Sequence, residues 1–273
     1  MIVEQMLKNA QTPLLHIADV SGSALFQGDC LDIMPLIPDK SVQLICADLP
    51  YGTTACKWDS IIDLDLLWKQ YKRIIKDKGA IVLTASQPFT TKLISSNYEM
   101  FKYETIWLKS RKTGHIMAKN KPLKQHENIL IFSAGTTVHA NQSKTRMIYN
   151  PQGLIERKNK INYRPSRETK GSEVVGGWRP SNKNTLISEF ENYPTSILQV
   201  NNEHNVNAFH QTQKPLELIK YLIKTYSNEN DMVLDNTMGS GTCPLAAKEL
   251  NRKFIGIEKE PKYYEIACQR CGF

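Results

Sequence analysis

One segment restricts the fold more than any other: Val233-Leu234-Asp235-Asn236-Thr237-Met238-Gly239-Ser240-Gly241-Thr242, followed by helical spacing of apolar residues over 242–252. A short apolar strand runs into a Gly-x-Gly turn and leaves it as a helix. Glycines there let the backbone approach a ligand closely, and turns of this kind bind nucleoside cofactors in doubly wound sheets. The next apolar run, residues 254–257, ends on Glu258, an acidic residue placed to grip ribose hydroxyls. The pair does not choose among nucleoside cofactors. It argues against a Walker loop, because no Gly-Lys-Ser/Thr follows.

The rest of the chain agrees with a strand–helix alternation. Residues 41–49 (SVQLICADL) read as a buried strand, 63–76 as an amphipathic helix stopped at Lys78-Gly79, and 80–85 as a second strand. A helix over 88–95 and strands over 103–108 and 129–132 follow. After a long gap come helices over 214–226, 242–252 and 261–268, with strands over 232–234 and 254–257 between them. Such alternation predicts an α/β fold: a Rossmann-like, mostly parallel sheet covered on both faces, with ligands beyond the carboxyl ends of the strands. A length of 273 residues with 41% hydrophobic residues suits one large domain with a small appendage.

Residues 133–210 differ. Asn, Ser, Lys and Arg dominate there and apolar periodicity fades, which predicts a loop-rich insert over 134–209 between the two parts of the main domain, 1–133 and 210–273. Of the net charge of +8, the stretch 142–184 carries +7, from ten basic and three acidic residues. A local cationic surface suits a polyanion, although a solvated basic loop reads equally well. No apolar run approaches the roughly 18 residues needed to span a bilayer, and the first residues lack signal-peptide order, so a cytoplasmic protein without membrane contact is expected. Cys268-Gln-Arg-Cys271 has CxxC spacing without a partner set, and the histidines show no ligand spacing; no metal is expected.

A second strand end carries chemistry. Asp48-Leu49-Pro50-Tyr51-Gly52 places a carboxylate, a rigid backbone kink and an aromatic ring directly after the strand of 41–49. Alone it also reads as an ordinary strand exit, where Asp, Pro and Gly are common. Yet these groups are what methylation of an exocyclic amino group needs. The nitrogen's lone pair is delocalised into the base. A carboxylate and a backbone carbonyl that accept its two N–H groups favour a more tetrahedral nitrogen, and an aromatic ring can hold a flipped base by stacking. No cysteine follows a proline, so the nucleophile needed for attack at a cytosine ring carbon is missing.

Taken together these motifs resemble those of the amino-methylating (adenine-N6/cytosine-N4) DNA methyltransferases of the β arrangement, in which the catalytic motif precedes the cofactor motif. Asp48-Leu49-Pro50-Tyr51 resembles the DPPY motif, and residues 235–242 resemble DPFxGSGT. His210-Gln211-Thr212-Gln213-Lys214-Pro215 resembles HxTQKP, and Gln27-Gly28-Asp29-Cys30 the GDC segment. The match covers roughly residues 23–133 and 210–270. It implies a circularly permuted methyltransferase fold with S-adenosylmethionine as cofactor and double-stranded DNA as partner. A homodimer and a restriction endonuclease counterpart are further partners the family suggests. By resemblance Asp48, Leu49, Pro50 and Tyr51 are catalytic. Asp29, Cys30, His210, Thr212, Gln213, Lys214, Pro215, Asp235, Asn236, Met238, Gly239, Ser240, Gly241, Thr242 and Glu258 bind the cofactor. The insert stands where the family carries its target-recognition region, so Lys158, Lys160, Arg164 and Arg167 are expected to hold DNA phosphates. Lys57 and Trp58 follow the catalytic turn, where they suit a loop over the base pocket or, for Trp58, a core anchor.

The chain departs from the pattern twice. Leu49 replaces the first proline, and its carbonyl can still accept a hydrogen bond. Asn236-Thr237-Met238 replaces Pro-Phe-x and removes an aromatic ring near the cofactor. The aspartate at position 48 favours adenine over cytosine, where that family commonly has serine. A non-catalytic DNA-binding protein on the same fold is the reading of a different class, and intact Asp48, Tyr51, Asp235 and Glu258 argue against it.

Overall fold

The computed structural model describes residues 2–11, 14–18, 22–52, 60–137, 143–163, 186–201 and 213–273. The chain opens with α1 (Ile2–Asn9), β1 (Leu15–Ala18), β2 (Ala24–Gln27), α2 (Cys30–Ile33) and β3 (Val42–Ala47). It continues through α3 (Leu64–Ile74), β4 (Ile75–Ala85), α4 (Phe89–Ser96), β5 (Phe101–Thr113) and β6 (Lys124–Phe132). Three strands follow, β7 (Ile155–Tyr163), β8 (Leu186–Glu191) and β9 (Ile197–Gln199). The last elements are α5 (Leu216–Tyr226), β10 (Met232–Asp235), α6 (Thr242–Glu249), β11 (Lys253–Glu258) and α7 (Pro261–Cys271).

The main sheet has nine strands in the order β1-β2-β11-β10-β3-β4-β6-β5-β9. Its middle, from β2 to β4, is parallel throughout. Antiparallel pairing joins β1 to β2, and β6 to both β4 and β5, while β9 runs parallel to β5. The expected mostly parallel α/β sheet is present.

Strand side chains alternate between two cores, because successive residues point to opposite faces. Val42, Ile45 and Ala47 of β3 pack with Ile81 and Leu83 of β4 and Leu234 of β10. That face is covered by α1, α3 and α4, through Met6, Leu67, Tyr71 and Leu93. Leu44 and Cys46 face the other way, with Val82, Val233 and Phe254, and are covered by Leu222 of α5, Ala246 of α6 and Ala267 of α7. Each such Leu or Ile, fully buried, contributes about 1.5–3 kcal/mol. This two-sided burial is why the central strands read as continuous apolar runs.

Several boundaries differ from the sequence reading. The helix expected over 63–76 ends at Ile74, capped at its start by Asp63, whose carboxylate accepts the Leu66 N–H at 3.0 Å. Ile75 already pairs with Val42, so β4 begins there and runs through Gly79. A Cβ at Gly79 would stand 2.7 Å from the Gln43 carbonyl oxygen. The glycine is therefore a close approach between strands, and it stops no helix. The α1, β1 and β2 elements, and the short β9 inside the expected insert, were not foreseen. The helix expected from 214 starts at Leu216, after Pro215, and the one expected to reach 252 ends at Glu249.

The chain divides into two compact units, one made of Met1–Asn150 with Ser196–Phe273, the other of Pro151–Thr195. The second unit is shorter than the 134–209 segment marked out by composition. Its described part is the antiparallel pair β7 and β8, with Arg157 Nη1 3.3 Å from Glu191 Oε2 and Asn192 Nδ2 donating to the Gly153 carbonyl at 2.7 Å. No helix among the described residues is long and apolar enough to cross a membrane.

Candidate active site

The parallel strands β3 and β10 lie side by side, Leu44 opposite Val233 and Ile45 opposite Leu234. From β3 the chain moves outward through β4, and from β10 it moves outward the other way through β11. This is the switch point of the sheet, where diverging connections leave a crevice beyond the carboxyl ends. The two turns singled out in the sequence, after β3 and after β10, both open there although 187 positions separate Asp48 from Asp235. They touch: Thr237 Oγ1 donates to the Asp48 carbonyl at 3.2 Å. A cavity of about 450 Å³ is lined by both turns and by Gly28, Asp29, Thr84, Lys124, Glu127 and Glu258.

On the β3 side, Asp48 is held by its neighbours. Its Oδ1 accepts from Tyr51 Oη at 2.8 Å and from Thr84 Oγ1 of β4, and its Oδ2 accepts from Lys214 Nζ at 2.6 Å. The Tyr51 ring stacks on Phe89 of α4 at 5.4 Å between centroids. Burial, then the Asp48 charge, hold the Tyr51 phenol well above its ordinary range, so it stays a donor. Lys214 is 9% exposed against 32% for Asp48, so of the two cavity-lining partners the ammonium is the more deeply buried. Burial would lower the Lys214 ammonium, but Asp48, with Tyr51 and Glu127, keeps it well above the usual lysine range.

On the β10 side the site is acidic and open. Asp235 accepts the Thr237 N–H at 3.1 Å and is 6% exposed. No cation among the described residues is paired with it, and burial pushes its carboxyl up to about 8, with Asp48 and Glu258 adding to the effect. Glu258 accepts the N–H groups of Gly239 and Glu260, each at 2.8 Å. Burial raises its carboxyl above the ordinary range, and those N–H groups oppose the rise. Gly239 takes φ +51 with nothing within 4 Å of where a Cβ would stand, so the backbone itself walls an open space. Asn236 Oδ1 accepts from Tyr71 Oη. Two acidic side chains with no paired cation among the described residues, beside a bare glycine turn, fit a ligand that brings a cationic amine and hydroxyl groups.

The residues singled out in the sequence are brought together unevenly. Asp48, Leu49, Pro50 and Tyr51 line the cavity, as do Asp29, Cys30, Gln213, Lys214, Asp235, Asn236, Met238, Gly239, Ser240, Thr242 and Glu258. Asp29 is already engaged: it caps α2 by accepting the Leu31 N–H at 2.9 Å and pairs with Lys259 at 3.0 Å. Burial opposes ionisation, yet these two contacts hold its carboxyl below the ordinary value. Gly241 and Pro215 are not among the lining residues. Gly241, at φ +80, lets α7 come close, for a Cβ there would stand 2.8 Å from that of Ala267. Pro215 is the N-cap of α5. Lys214 lines the cavity and donates to Asp48 Oδ2. His210 and Thr212, and Lys57 and Trp58, lie outside the described residues. So do Arg164 and Arg167. Lys158 is exposed on β7, which also carries Lys160.

Sequence reasoning missed Thr84, Lys109, Glu127 and Arg270. Glu127 bore a legible signal, a carboxylate at the edge of the apolar run 129–132. Arg270 of α7 donates to the Ser240 carbonyl at 2.6 Å and to Thr242 Oγ1 at 3.2 Å, pinning the glycine turn, and nothing in its sequence context marks it.

Comparison with known proteins points to one family. The N6_N4_Mtase model, described as DNA methylase, matches residues 42–269. Type II methyltransferase M1.MboII of Moraxella bovis is 28% identical over 255 residues, covering 89% of this chain and 94% of its own. DNA adenine methyltransferase YhdJ of Escherichia coli K12 is 28% identical over 262 residues, covering 90% and 81%. The crystal structure of the M1.HpyAVI–SAM complex superposes with a TM-score of 0.61 at 22% identity, covering 91% of this chain and 98% of that one.

Proposed function

Because the chain belongs to the N6_N4_Mtase family of DNA methylases, we propose that it transfers a methyl group from S-adenosylmethionine to the exocyclic amino group of adenine at a specific site in DNA. The observation that carries this reading is the Asp48 carboxylate facing the same cavity as the Gly239 turn, Asp235 and Glu258.

Bound S-adenosylmethionine supplies an electrophilic methyl carbon on a sulfonium. Asp235 would take its cationic amino group and Glu258 its ribose hydroxyls, with the Gly239 backbone alongside. A carboxylate has about four acceptor positions. Tyr51, Thr84 and Lys214 occupy three on Asp48. Among the described residues that leaves one for a substrate N–H, and the Leu49 carbonyl would accept the other. Those two bonds favour a tetrahedral nitrogen with its lone pair free. The Tyr51 ring, braced by Phe89, would stack on the flipped base.

Two basic segments support DNA as the substrate. Lys158, Lys160, Arg164 and Arg167 belong to the +7 stretch. The β5–β6 hairpin holds six cations and no carboxylate from 105 to 126, with Lys124 on the cavity wall. The aspartate at 48 and the similarity to YhdJ favour adenine. The Type II relative supports a restriction endonuclease counterpart, and the setting would be the cytoplasm. The test is incubation with plasmid DNA and labelled S-adenosylmethionine, then identification of the modified nucleoside and its context. N6-methyladenine in one sequence context is expected; N4-methylcytosine would correct the base, and no labelled nucleoside would refute the reading.

A further inference from the structure

Lys214 lies in a segment whose resemblance ties it to the cofactor, yet its ammonium is 2.6 Å from Asp48 Oδ2 and 3.3 Å from Glu127 Oε2. The other oxygen of Glu127 accepts from Lys109 Nζ. Glu127 is 10% exposed and Lys109 15%. Burial opposes ionisation of Glu127, but Lys214 and Lys109 hold its carboxyl below the ordinary value, so the charges alternate: Lys109, Glu127, Lys214, Asp48. The chain of charges joins β5, β6 and the residue before Pro215 to the turn after β3. Buried ion pairs are a poor source of stability, because desolvation offsets most of their attraction. What this one supplies is placement. Tyr51 and Thr84 fix one oxygen of Asp48, and among the described residues Lys214 alone fixes the other.

We propose that Lys214 is a positioning residue for methyl transfer. Backed by Glu127 and Lys109, it sets the Asp48 carboxylate so that its remaining acceptor position faces the base, and it has no part in holding the cofactor. The proposal rests on the function proposed above. Without Lys214, Asp48 and Glu127 are two carboxylates facing one another, and Asp48 turns away from its working position; a displacement of about 1 Å at a reacting group costs on the order of a hundredfold in rate.

The experiment combines Lys214→Met, Asp48→Asn and the double variant, reading single-turnover methyl transfer at saturating cofactor alongside cofactor and DNA affinities. For Lys214→Met the expected result is a rate lowered by about a hundredfold, with both affinities within about threefold of wild type. The double variant should be no slower than Asp48→Asn, since an amide needs no counter-cation. Additive losses, or a weakened cofactor affinity with a normal saturated rate, would overturn the assignment. If Lys214→Met does not fold, Glu127→Gln keeps the ammonium and removes its backing. It should slow transfer with unchanged cofactor affinity, and a wild-type rate would overturn the proposal. A wild-type protein that methylates no DNA overturns the functional reading and this inference together; a methylating wild type with additive variants overturns this inference alone.

Discussion

Replacing Asp235 by Asn should stabilise the cofactor-free protein while weakening its binding of S-adenosylmethionine. Asp235 is 6% exposed, and burial pushes its carboxyl from 3.8 up to about 8. The unfolded chain therefore loses this proton near pH 4 and the folded chain keeps it to about pH 8. Stability from this group is complete below pH 4 and falls as pH rises through that window, because the folded state binds the extra proton. A difference of about four units at 1.36 kcal/mol each amounts to about 5–6 kcal/mol once the pH is above 8. Asparagine has no such proton and can still accept the Thr237 N–H. Urea unfolding of both proteins without cofactor, from pH 5 to 9, should show the variant gaining on wild type by about 1.4 kcal/mol per pH unit and levelling off near pH 8. A stability difference independent of pH would refute the reasoning. The cofactor adds a second reading. If its amine pairs with Asp235, binding at pH 7 should expel about one proton, seen by calorimetry in two buffers of different ionisation enthalpy. Binding without proton release would remove Asp235 from that role.

Other expectations follow from the same geometry. Asp48→Ala should abolish turnover and leave cofactor affinity within about twofold, measured by single-turnover assay and calorimetry. Gly241→Ala should cost about 1–3 kcal/mol in urea unfolding, since its φ is +80 and the new Cβ would meet that of Ala267 at 2.8 Å. Glu258→Ala should weaken cofactor binding by roughly ten- to a hundredfold, the loss of a charge-assisted hydrogen bond. Alanine at Lys158, Lys160, Arg164 and Arg167 together should flatten the salt dependence of DNA binding by about 0.9 in slope for each lost phosphate contact; an unchanged slope would leave the hairpin at 105–126 as the DNA contact.

The central sheet was legible because its strands are buried on both faces, so β3, β4, β10 and β11 stand out as apolar runs with helices between them. The switch point was legible for a related reason: both Asp48 and Asp235 end such runs. Short or composite elements were not. Three residues of β9 are too few to show a period, and the α3–β4 boundary is set by the pairing of Ile75 with Val42, a contact 33 positions away in sequence. Motif resemblance located Lys214 without giving its direction, because side-chain direction depends on what Asp48 and Glu127 offer it in space. Arg270 and Thr84 act through hydrogen bonds formed across the fold, and local sequence carries no trace of those.

The hydrogen bond from Thr237 to the Asp48 carbonyl has a thermodynamic consequence. It fastens the turn after β10 to the turn after β3, so order imposed on one is shared by the other. The two substrates should therefore bind cooperatively, and reciprocity requires the factor by which cofactor tightens DNA binding to equal the factor by which DNA tightens cofactor binding. Thr237→Val removes the link without touching either carboxylate. That common factor should fall toward one, with each affinity, measured alone, little changed.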